Sequence, residues 1–222
     1  MARRTAAFFD LDGTLLSANS GALWMKHERR IGRLDLWQVV QGTFYLFAYR
    51  FHALDMEHVM VKALETVKGE REQVVRRRTH DWFFEEVVQV VAPGARQVLQ
   101  QHRSRGDLLV LLTSSSPYES EVAARHFALD DFLSTRYEVK DDVFTGDIVR
   151  PLCYGQGKVT LAERYAAEHD VDLDRSYFYT DSFSDLPMLQ RVGHPQVVKP
   201  DLRLRLIAWR KGWPVLQWGR PA

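Results

Sequence analysis

Short apolar runs recur along the chain, and several of them stop abruptly at polar residues. The clearest cover residues 5–9, 108–112 and 176–179. Each has the length of a buried strand. The first ends at Asp10, the second at a row of hydroxyl residues that begins with Thr113, and the third shortly before Asp181. A weaker run at 196–198 is a candidate fourth strand.

The segment between the first two runs has the period of helices instead. From Met56 to Val67, apolar residues recur three and four positions apart, which predicts an amphipathic helix that stops at Gly69. A second helix is predicted from about Glu70. Elsewhere the pattern predicts a helix that breaks at Gly106, helices over 118–127 and 155–168, and a hairpin over 137–149.

This alternation of strands and helices predicts an α/β fold. We expect a three-layer α/β/α core, in which a mostly parallel sheet is covered by helices on both faces. Ligands bind beyond the carboxyl ends of the strands in such sheets, which is where the polar loops are predicted. The long helical block interrupts the alternation, so we predict a helical cap at 17–87, inserted into a core formed by 1–16 and 88–222.

Composition narrows the classes of function. The 222 residues include 45% hydrophobic and 27% charged side chains, which is a globular balance. A net charge of +1 argues against nucleic acid as a partner. The single cysteine, Cys153, excludes an internal disulfide. With no secretion signal and no apolar run of ~18 residues, we expect a cytoplasmic protein without a membrane segment. The sequence does not specify an oligomeric state.

Two carboxylates follow the first strand, at Asp10 and Asp12. Residues two apart at a strand end can face one pocket. One carboxylate can attack phosphorus while the other handles a proton. Their mutual repulsion predicts a neighbouring cation such as Mg²⁺. Gly13 would allow a phosphate oxygen to approach the backbone. The alternative is an ordinary turn after a strand.

Three further clusters follow along the chain. Residues 113–116 offer hydroxyls and amides at a helix start, where anions bind, although simple N-capping is an alternative. Lys158 follows two glycines, also begins a helix, and can neutralise a phosphate. Asp181 and Asp185 add hard oxygen ligands of the kind that Mg²⁺ prefers.

In this order, the clusters resemble the four motifs of the haloacid dehalogenase superfamily of phosphohydrolases, over nearly the whole chain. The helical insert directly after the first motif is similar to the phosphoserine-phosphatase-like branch, subfamily IB. The last motif of that branch often has the form seen here from Asp181 to Leu189. The resemblance implies a phosphatase that forms an aspartyl-phosphate.

The resemblance also implies a role for each matching residue. Asp10 would be the nucleophile, and Asp12 would protonate the leaving alcohol and then activate water. Ser114 is preferred to Thr113 as the key hydroxyl, because it lies three residues before Pro117. The implied phosphate-binding residues are Gly13, Thr113, Ser114, Ser115 and Lys158. The implied Mg²⁺ ligands are Asp10, Asp12 through its backbone carbonyl, Asp181 and, in support, Asp185.

The substrate is expected to be a small phosphorylated metabolite. Phosphoserine phosphatases of this branch carry a glutamate nine residues after the nucleophile, where this chain has Asn19. An amide pairs poorly with an ammonium, so phosphoserine is disfavoured. The uncharged, aromatic stretch 36–49 is interpreted as cap interior. An apolar substrate pocket or membrane contact is the alternative, and with it a lipid-linked phosphate of the phosphatidylglycerophosphate type.

The motifs are compatible with two functions besides hydrolysis. One is a non-catalytic phospho-ligand-binding module on the same scaffold, and the second is phosphoryl transfer to an acceptor other than water. We expect residues 76–78 to form a solvated helix face, and several arginines of the cap are candidates to reach a substrate carboxylate (Arg29, Arg30, Arg33 and Arg50). The C-terminal tryptophans are expected to pack on the core (Trp209, Trp213 and Trp218).

Overall fold

A six-stranded parallel sheet forms the centre of the computed structural model, which describes residues 3–37, 39–40 and 56–218. In chain order the strands are β1 (Ala6–Phe9), β2 (Leu108–Thr113), β3 (Asp131–Ser134), β4 (Arg136–Lys140), β5 (Val143–Val149), β6 (Tyr177–Thr180), β7 (His194–Val198) and β8 (Val215–Leu216). The sheet order is β3-β2-β1-β6-β7-β8, while β4 and β5 form a separate antiparallel hairpin.

Helices cover both faces of this sheet. In chain order, the helices whose bounds are described are α1 (Ser20–Arg30), α2 (Met56–Leu64), α3 (Glu72–Glu85), α4 (Ala95–Arg105), α5 (Pro117–Phe127), α6 (Gln156–Glu168), α7 (Leu186–Arg191) and α8 (Leu202–Lys211). Of these, α2 packs on the hairpin rather than on the sheet. Successive side chains of β1 point to opposite faces. Phe8 therefore packs with α6, α7 and α8, and Phe9 packs with α3, α4 and α5. The predicted three-layer α/β fold is confirmed.

The order in which the chain adds strands to the sheet reverses at β1. From β1 the chain moves outward through β2 and β3, and it then returns to the other side of β1 with β6. The carboxyl ends of β1, β2 and β6 consequently meet at one edge. Such a switch point is where open α/β sheets bind ligands.

The helical insert leaves and rejoins the core through two segments that run side by side. Ser17 N donates to Val90 O at 2.7 Å, and Ala92 N donates to Leu15 O at 2.9 Å. The hairpin, which lies in the predicted core, also binds the insert, because Phe144 N donates to Glu70 O at 3.0 Å. The predicted division into core and cap stays a prediction.

Several boundaries differ from the sequence-based expectation. The helix α2 ends at Leu64 rather than near residue 67, and β3 and β8 were not predicted because they are short and carry no long apolar run. The aromatic stretch 36–49 was interpreted as cap interior, but Leu36 and Trp37 at its start are 59% and 72% exposed, which corrects that interpretation for these two residues. Most of the stretch lies outside the described residues, and for those residues the interpretation stays a prediction. Among the described residues, no helix combines the length and apolarity needed to cross a membrane.

Two expectations about surface residues need correction. Trp209 is 78% exposed, because Leu204 and Ala208 occupy the core-facing side of α8. Trp213 and Trp218 do pack against the core, as expected. Arg78 is not solvated like Arg76 and Arg77: its side chain is 13% exposed and pairs with Glu28 and Glu70.

The cap arginines are also largely engaged. Arg33 pairs with Glu28 and Glu70, and Arg30 pairs with Glu86. Arg29 is exposed, and Arg50 lies outside the described residues. These ion pairs tie the helices of the insert together, which makes Arg30 and Arg33 poor candidates to bind a substrate carboxylate.

Candidate active site

The centre of the site is a buried lysine between two aspartates. Asp10 follows β1, and Lys158 lies in the first turn of α6. Lys158 Nζ donates to Asp10 Oδ1 and to Asp185 Oδ2, both at 2.8 Å. All three side chains are buried, so the ion pairs are shielded from water.

A close backbone approach brings Lys158 to this position. A Cβ on Gly157 would lie 1.9 Å from the carbonyl oxygen of Leu152, so a residue with a side chain would push the start of α6 away. Glycine lets the helix begin against that carbonyl. The next residue is then held over the ends of the strands.

Burial and the neighbouring charges together set the pKa values of Asp10 and Lys158. Burial raises the pKa of Asp10 to about 7, although the Lys158 ammonium opposes that rise. Burial also lowers the pKa of Lys158, but the Asp10 and Asp185 carboxylates outweigh it and hold that pKa well above its usual value. The lysine therefore carries a positive charge inside the pocket, next to the predicted nucleophile.

Asp12 is oriented by the first residues of the insert. Ser20 N, at the start of α1, donates to Asp12 Oδ1 at 2.8 Å, and Asn19 Nδ2 donates to Asp12 Oδ2 at 3.3 Å. The Asn19 amide oxygen also accepts from Ala22 N at 2.9 Å, which caps α1. Burial raises the pKa of Asp12 to about 6, and the Ser20 amide opposes that rise.

The remaining acids line the neighbouring strand end. Gly13 has a φ of 72°, which favours glycine, and a Cβ there would lie 2.3 Å from Asp181 Oδ2. The Asp181 carboxylate therefore rests against the loop that carries Asp10 and Asp12. Asp185 Oδ2 also accepts from Thr180 Oγ1 at 2.7 Å.

The carboxylates of this site are suited to bind a divalent cation. Asp10, Asp181 and Asp185 bring three carboxylates to one edge of the sheet, and Lys158 is bonded to two of them, Asp10 and Asp185. Asp185 Oδ1 is buried and has no hydrogen-bond partner among the described residues. Hard carboxylate oxygens, such as this unbonded Oδ1 atom of Asp185, are suitable ligands for Mg²⁺.

The loop of residues 113–116 after β2 carries four hydroxyl side chains, and one of them is available to bind a ligand. Thr113 Oγ1 accepts from Ser115 N at 3.2 Å and also contacts the Ser115 hydroxyl. Ser116 Oγ accepts from Glu119 N at 3.1 Å and caps α5. Within the described part of the chain, the Ser114 hydroxyl makes no hydrogen bond, which agrees with its choice over Thr113 as the phosphate contact. Its role stays a prediction.

The structure thus brings the predicted residues to one edge of the sheet, and it adds three that the sequence analysis missed. Thr180 holds Asp185, and Ser20 holds Asp12. Glu119 is buried, and burial, followed by the Asp12 charge, raises its pKa to about 8. Thr180 directly precedes Asp181 and could have been suspected, whereas Glu119 has the sequence of a surface helix cap.

The fold and the site define an α/β enzyme core whose acids, lysine and hydroxyl loop converge at a switch point. The chain belongs to the haloacid dehalogenase-like hydrolase family, whose model matches residues 7–190. The phosphatase names among its relatives place it with the phosphatases of that family.

Three similar proteins illustrate the relationship. A probable phosphatase of Mycobacterium tuberculosis is 32% identical over 98% of this chain and 77% of its own length. A histidinol-phosphatase of Neisseria meningitidis is 27% identical over 96% of this chain and 98% of its own. A solved phosphoserine phosphatase, with an analogue of its phospho-aspartyl intermediate, has a TM-score of 0.72 over 96% of this chain and 92% of its own. At 15% identity, that last likeness concerns the fold alone.

Proposed function

We propose that the protein hydrolyses a small phosphomonoester through a covalent aspartyl-phosphate on Asp10. The observation that carries this proposal is the buried contact of Lys158 with both Asp10 and Asp185 at the switch point of the sheet. A lysine in that position screens the negative nucleophile from a negative phosphoryl group. Family membership favours this enzyme over a non-catalytic binding module.

In the first step, an Asp10 carboxylate oxygen attacks phosphorus, and the bond from phosphorus to the ester oxygen breaks. Asp12 gives its proton to the departing alkoxide. In the second step, Asp12 takes a proton from the water that attacks phosphorus, which releases inorganic phosphate and restores Asp10. A pKa of about 6 allows Asp12 to act as acid and then as base near neutral pH.

The phosphoryl oxygens would be held by Lys158, by the Ser114 hydroxyl, and by amides of the loop that begins α5. The amino terminus of a helix is a favourable place for an anion. Mg²⁺ would be held by Asp10, by the Asp12 carbonyl and by Asp181, with Asp185 in support. When bound, it supplies positive charge that stabilises the phosphoryl group.

A small phosphorylated metabolite in the cytoplasm is the substrate class that we propose. The relative named histidinol-phosphatase supports this class, since it aligns over 98% of its own length. The Asn19 side chain donates a hydrogen bond to Asp12 and caps α1. In our proposal it therefore orients the acid rather than the substrate.

The test is hydrolysis of an aryl phosphate and of a panel of phosphorylated metabolites, including histidinol phosphate and phosphoserine. We expect turnover with Mg²⁺, loss of turnover in EDTA, and loss in Asp10→Asn with Mg²⁺ present. Absence of turnover across the panel, or a wild-type rate in Asp10→Asn, would refute the proposal.

A further inference from the structure

The outer face of α8 exposes a stripe of apolar side chains. Leu202 is 83% exposed, Leu206 is 47% exposed, and Trp209 is exposed over most of its surface. At about 100° per residue, these three side chains lie on one side of the helix. They are opposite Leu204 and Ala208, which face the core. Single exposed apolar residues are common, whereas a contiguous apolar patch is a feature of interaction surfaces.

The start of α8 fixes the direction in which this stripe faces. Asp201 Oδ1 accepts from Leu204 N at 2.9 Å, and Asp201 Oδ2 accepts from Phe183 N at 3.2 Å. Asp201 N also donates to Asp181 O at 3.3 Å. A rotation of α8 that covered the stripe would break these bonds and expose the buried Leu204. The stripe is therefore a fixed feature of the surface.

Basic side chains flank the stripe, and α8 carries no acidic residue. By the same helical geometry, Arg205 lies on one side of the stripe, and Arg203 and Arg210 lie on the other. All three arginines are exposed, and within the described part of the chain none of them forms an ion pair. Lys211 is also exposed and lies over the ring of Trp213, with 5.5 Å between its Nζ atom and the ring centroid. The surface is apolar along its centre and positive at its margins.

This combination fits an anionic lipid surface better than a second copy of the chain or a nucleic acid. In an amphipathic helix at a bilayer surface, leucines and tryptophans enter the headgroup boundary while arginines reach the lipid phosphates. A two-fold interface pairs a patch with itself, so a second copy would bring arginines against arginines. A nucleic-acid backbone would neutralise the cations but would leave the leucines exposed.

We propose that α8 docks the protein on an anionic membrane surface, with Leu202, Leu206 and Trp209 inserted between the headgroups and the flanking arginines bound to lipid phosphates. The helix lies on the bilayer and does not span it, since α8 has 10 residues. The contact weakens as salt rises, because exposed charges are screened. This inference does not rest on the proposed phosphatase function, because none of these residues belongs to the candidate active site.

Flotation of the full chain with vesicles tests the proposal. Vesicles of phosphatidylglycerol and phosphatidylcholine in equal parts are compared with vesicles of phosphatidylcholine alone. We expect binding to the anionic vesicles to be at least about tenfold tighter than to the neutral ones, and this preference to be lost at high salt. An absence of binding to the anionic vesicles, or equal binding to both kinds, would overturn the proposal.

Trp209→Gln tests the stripe, and Trp37→Gln is its matched control. Both tryptophans are exposed to a similar degree, so neither substitution should disturb folding. We expect Trp209→Gln to weaken binding to anionic vesicles about tenfold and Trp37→Gln to change it by no more than about twofold. The reverse result, or an equal loss in both variants, would overturn the assignment of the contact to α8.

The flanking cations are tested by Arg205→Gln combined with Arg210→Gln. This double variant should bind the anionic vesicles about tenfold more weakly and should lose most of the preference over neutral vesicles. Wild-type binding in the double variant would overturn the role of the arginines.

Two measurements in solution separate the remaining outcomes. If the wild type self-associates in sedimentation velocity, Trp209→Gln is monomeric and vesicles are not bound, the stripe is an interface between copies and the proposal fails. Hydrolysis of an aryl phosphate without vesicles should be unchanged in Trp209→Gln. Absence of that hydrolysis in the wild type would refute the proposed phosphatase function and would leave the result with vesicles intact.

Discussion

Asn19 shows how one residue can be interpreted differently from sequence and from structure. In the sequence, the resemblance to phosphoserine phosphatases leads one to expect a carboxylate at this position, and the chain has an amide. In the structure, its amide nitrogen donates to Asp12, and its amide oxygen caps α1. The residue therefore connects the insert to the proposed acid.

Asn19→Asp tests this connection. An aspartate caps a helix as well as an asparagine does, so stability should be kept. The new carboxylate cannot donate to Asp12, and its charge disfavours ionised Asp12, which raises the pKa of Asp12. We expect the pH profile of kcat to move to higher pH, because Asp12 keeps its proton to higher pH both as the acid of the first step and as the base of the second. Asn19→Ser, which keeps a cap without a charge, is the control, and an unmoved profile in Asn19→Asp would contradict the account.

The site residues differ in how visible they are in the sequence. Asp10, Asp12 and Lys158 were selected because acids and a lysine follow apolar strands or begin a helix, and the structure brings them together. Glu119 was missed because a glutamate three residues after Ser116 predicts a solvated helix cap. Only the fold shows that this first turn is covered by the insert.

At the scale of elements, the start of α6 determines whether Lys158 reaches Asp10. The strands were predictable because β1 and β2 are buried on both faces and so are continuously apolar. The edge strand β8 has two residues and gives no such pattern. The prediction that Trp209 packs on the core was wrong. A tryptophan is usually buried, but the sequence of a short helix such as α8 does not specify which of its sides faces the core.

Gly157→Ala tests the role of the start of α6. The added methyl would meet the Leu152 carbonyl, so the helix must shift and take Lys158 with it. We expect a loss of about 2 kcal/mol in the free energy of unfolding and a fall in kcat with an aryl phosphate. Ala167→Ser, at an exposed position of the same helix, should change neither. A variant with wild-type stability and rate would show that the close approach is not required.

At the scale of the whole molecule, the site depends on both the sheet and the insert. The sheet supplies Asp10 and Asp181, whereas α1 supplies the bonds that hold Asp12. The buried acids are concentrated where the two meet. A sequence predicts that an insert exists, but it does not predict which of its residues reach the core, since that depends on packing between distant elements.

The concentration of buried acids predicts that the metal-free protein is less stable at alkaline pH. Asp12, Asp10 and Glu119 have pKa values raised to about 6, about 7 and about 8. In the unfolded chain the pKa values of these three acids are lower. At any pH between the unfolded and the folded pKa values, the folded state therefore binds more protons than the unfolded state. The stabilisation is complete below the unfolded values and is lost as pH rises through 6 to 8.

We therefore expect the melting temperature in EDTA to fall between pH 5.5 and 8.5, and to fall less in Glu119→Gln. Thermal unfolding at a series of pH values measures both slopes. A melting temperature that rises over this range, or an identical slope in the variant, would contradict the assigned burial.

The central claim is that Asp10 becomes phosphorylated during turnover, and trapping tests it most directly. Borohydride reduces an acyl phosphate to an alcohol, so an aspartyl-phosphate is converted to homoserine. The protein is quenched during hydrolysis of an aryl phosphate with Mg²⁺, reduced, and mapped by peptide mass spectrometry. The account predicts homoserine at position 10 only when substrate is present. An unmodified Asp10 during continuing turnover, or modification of a different residue, would contradict it.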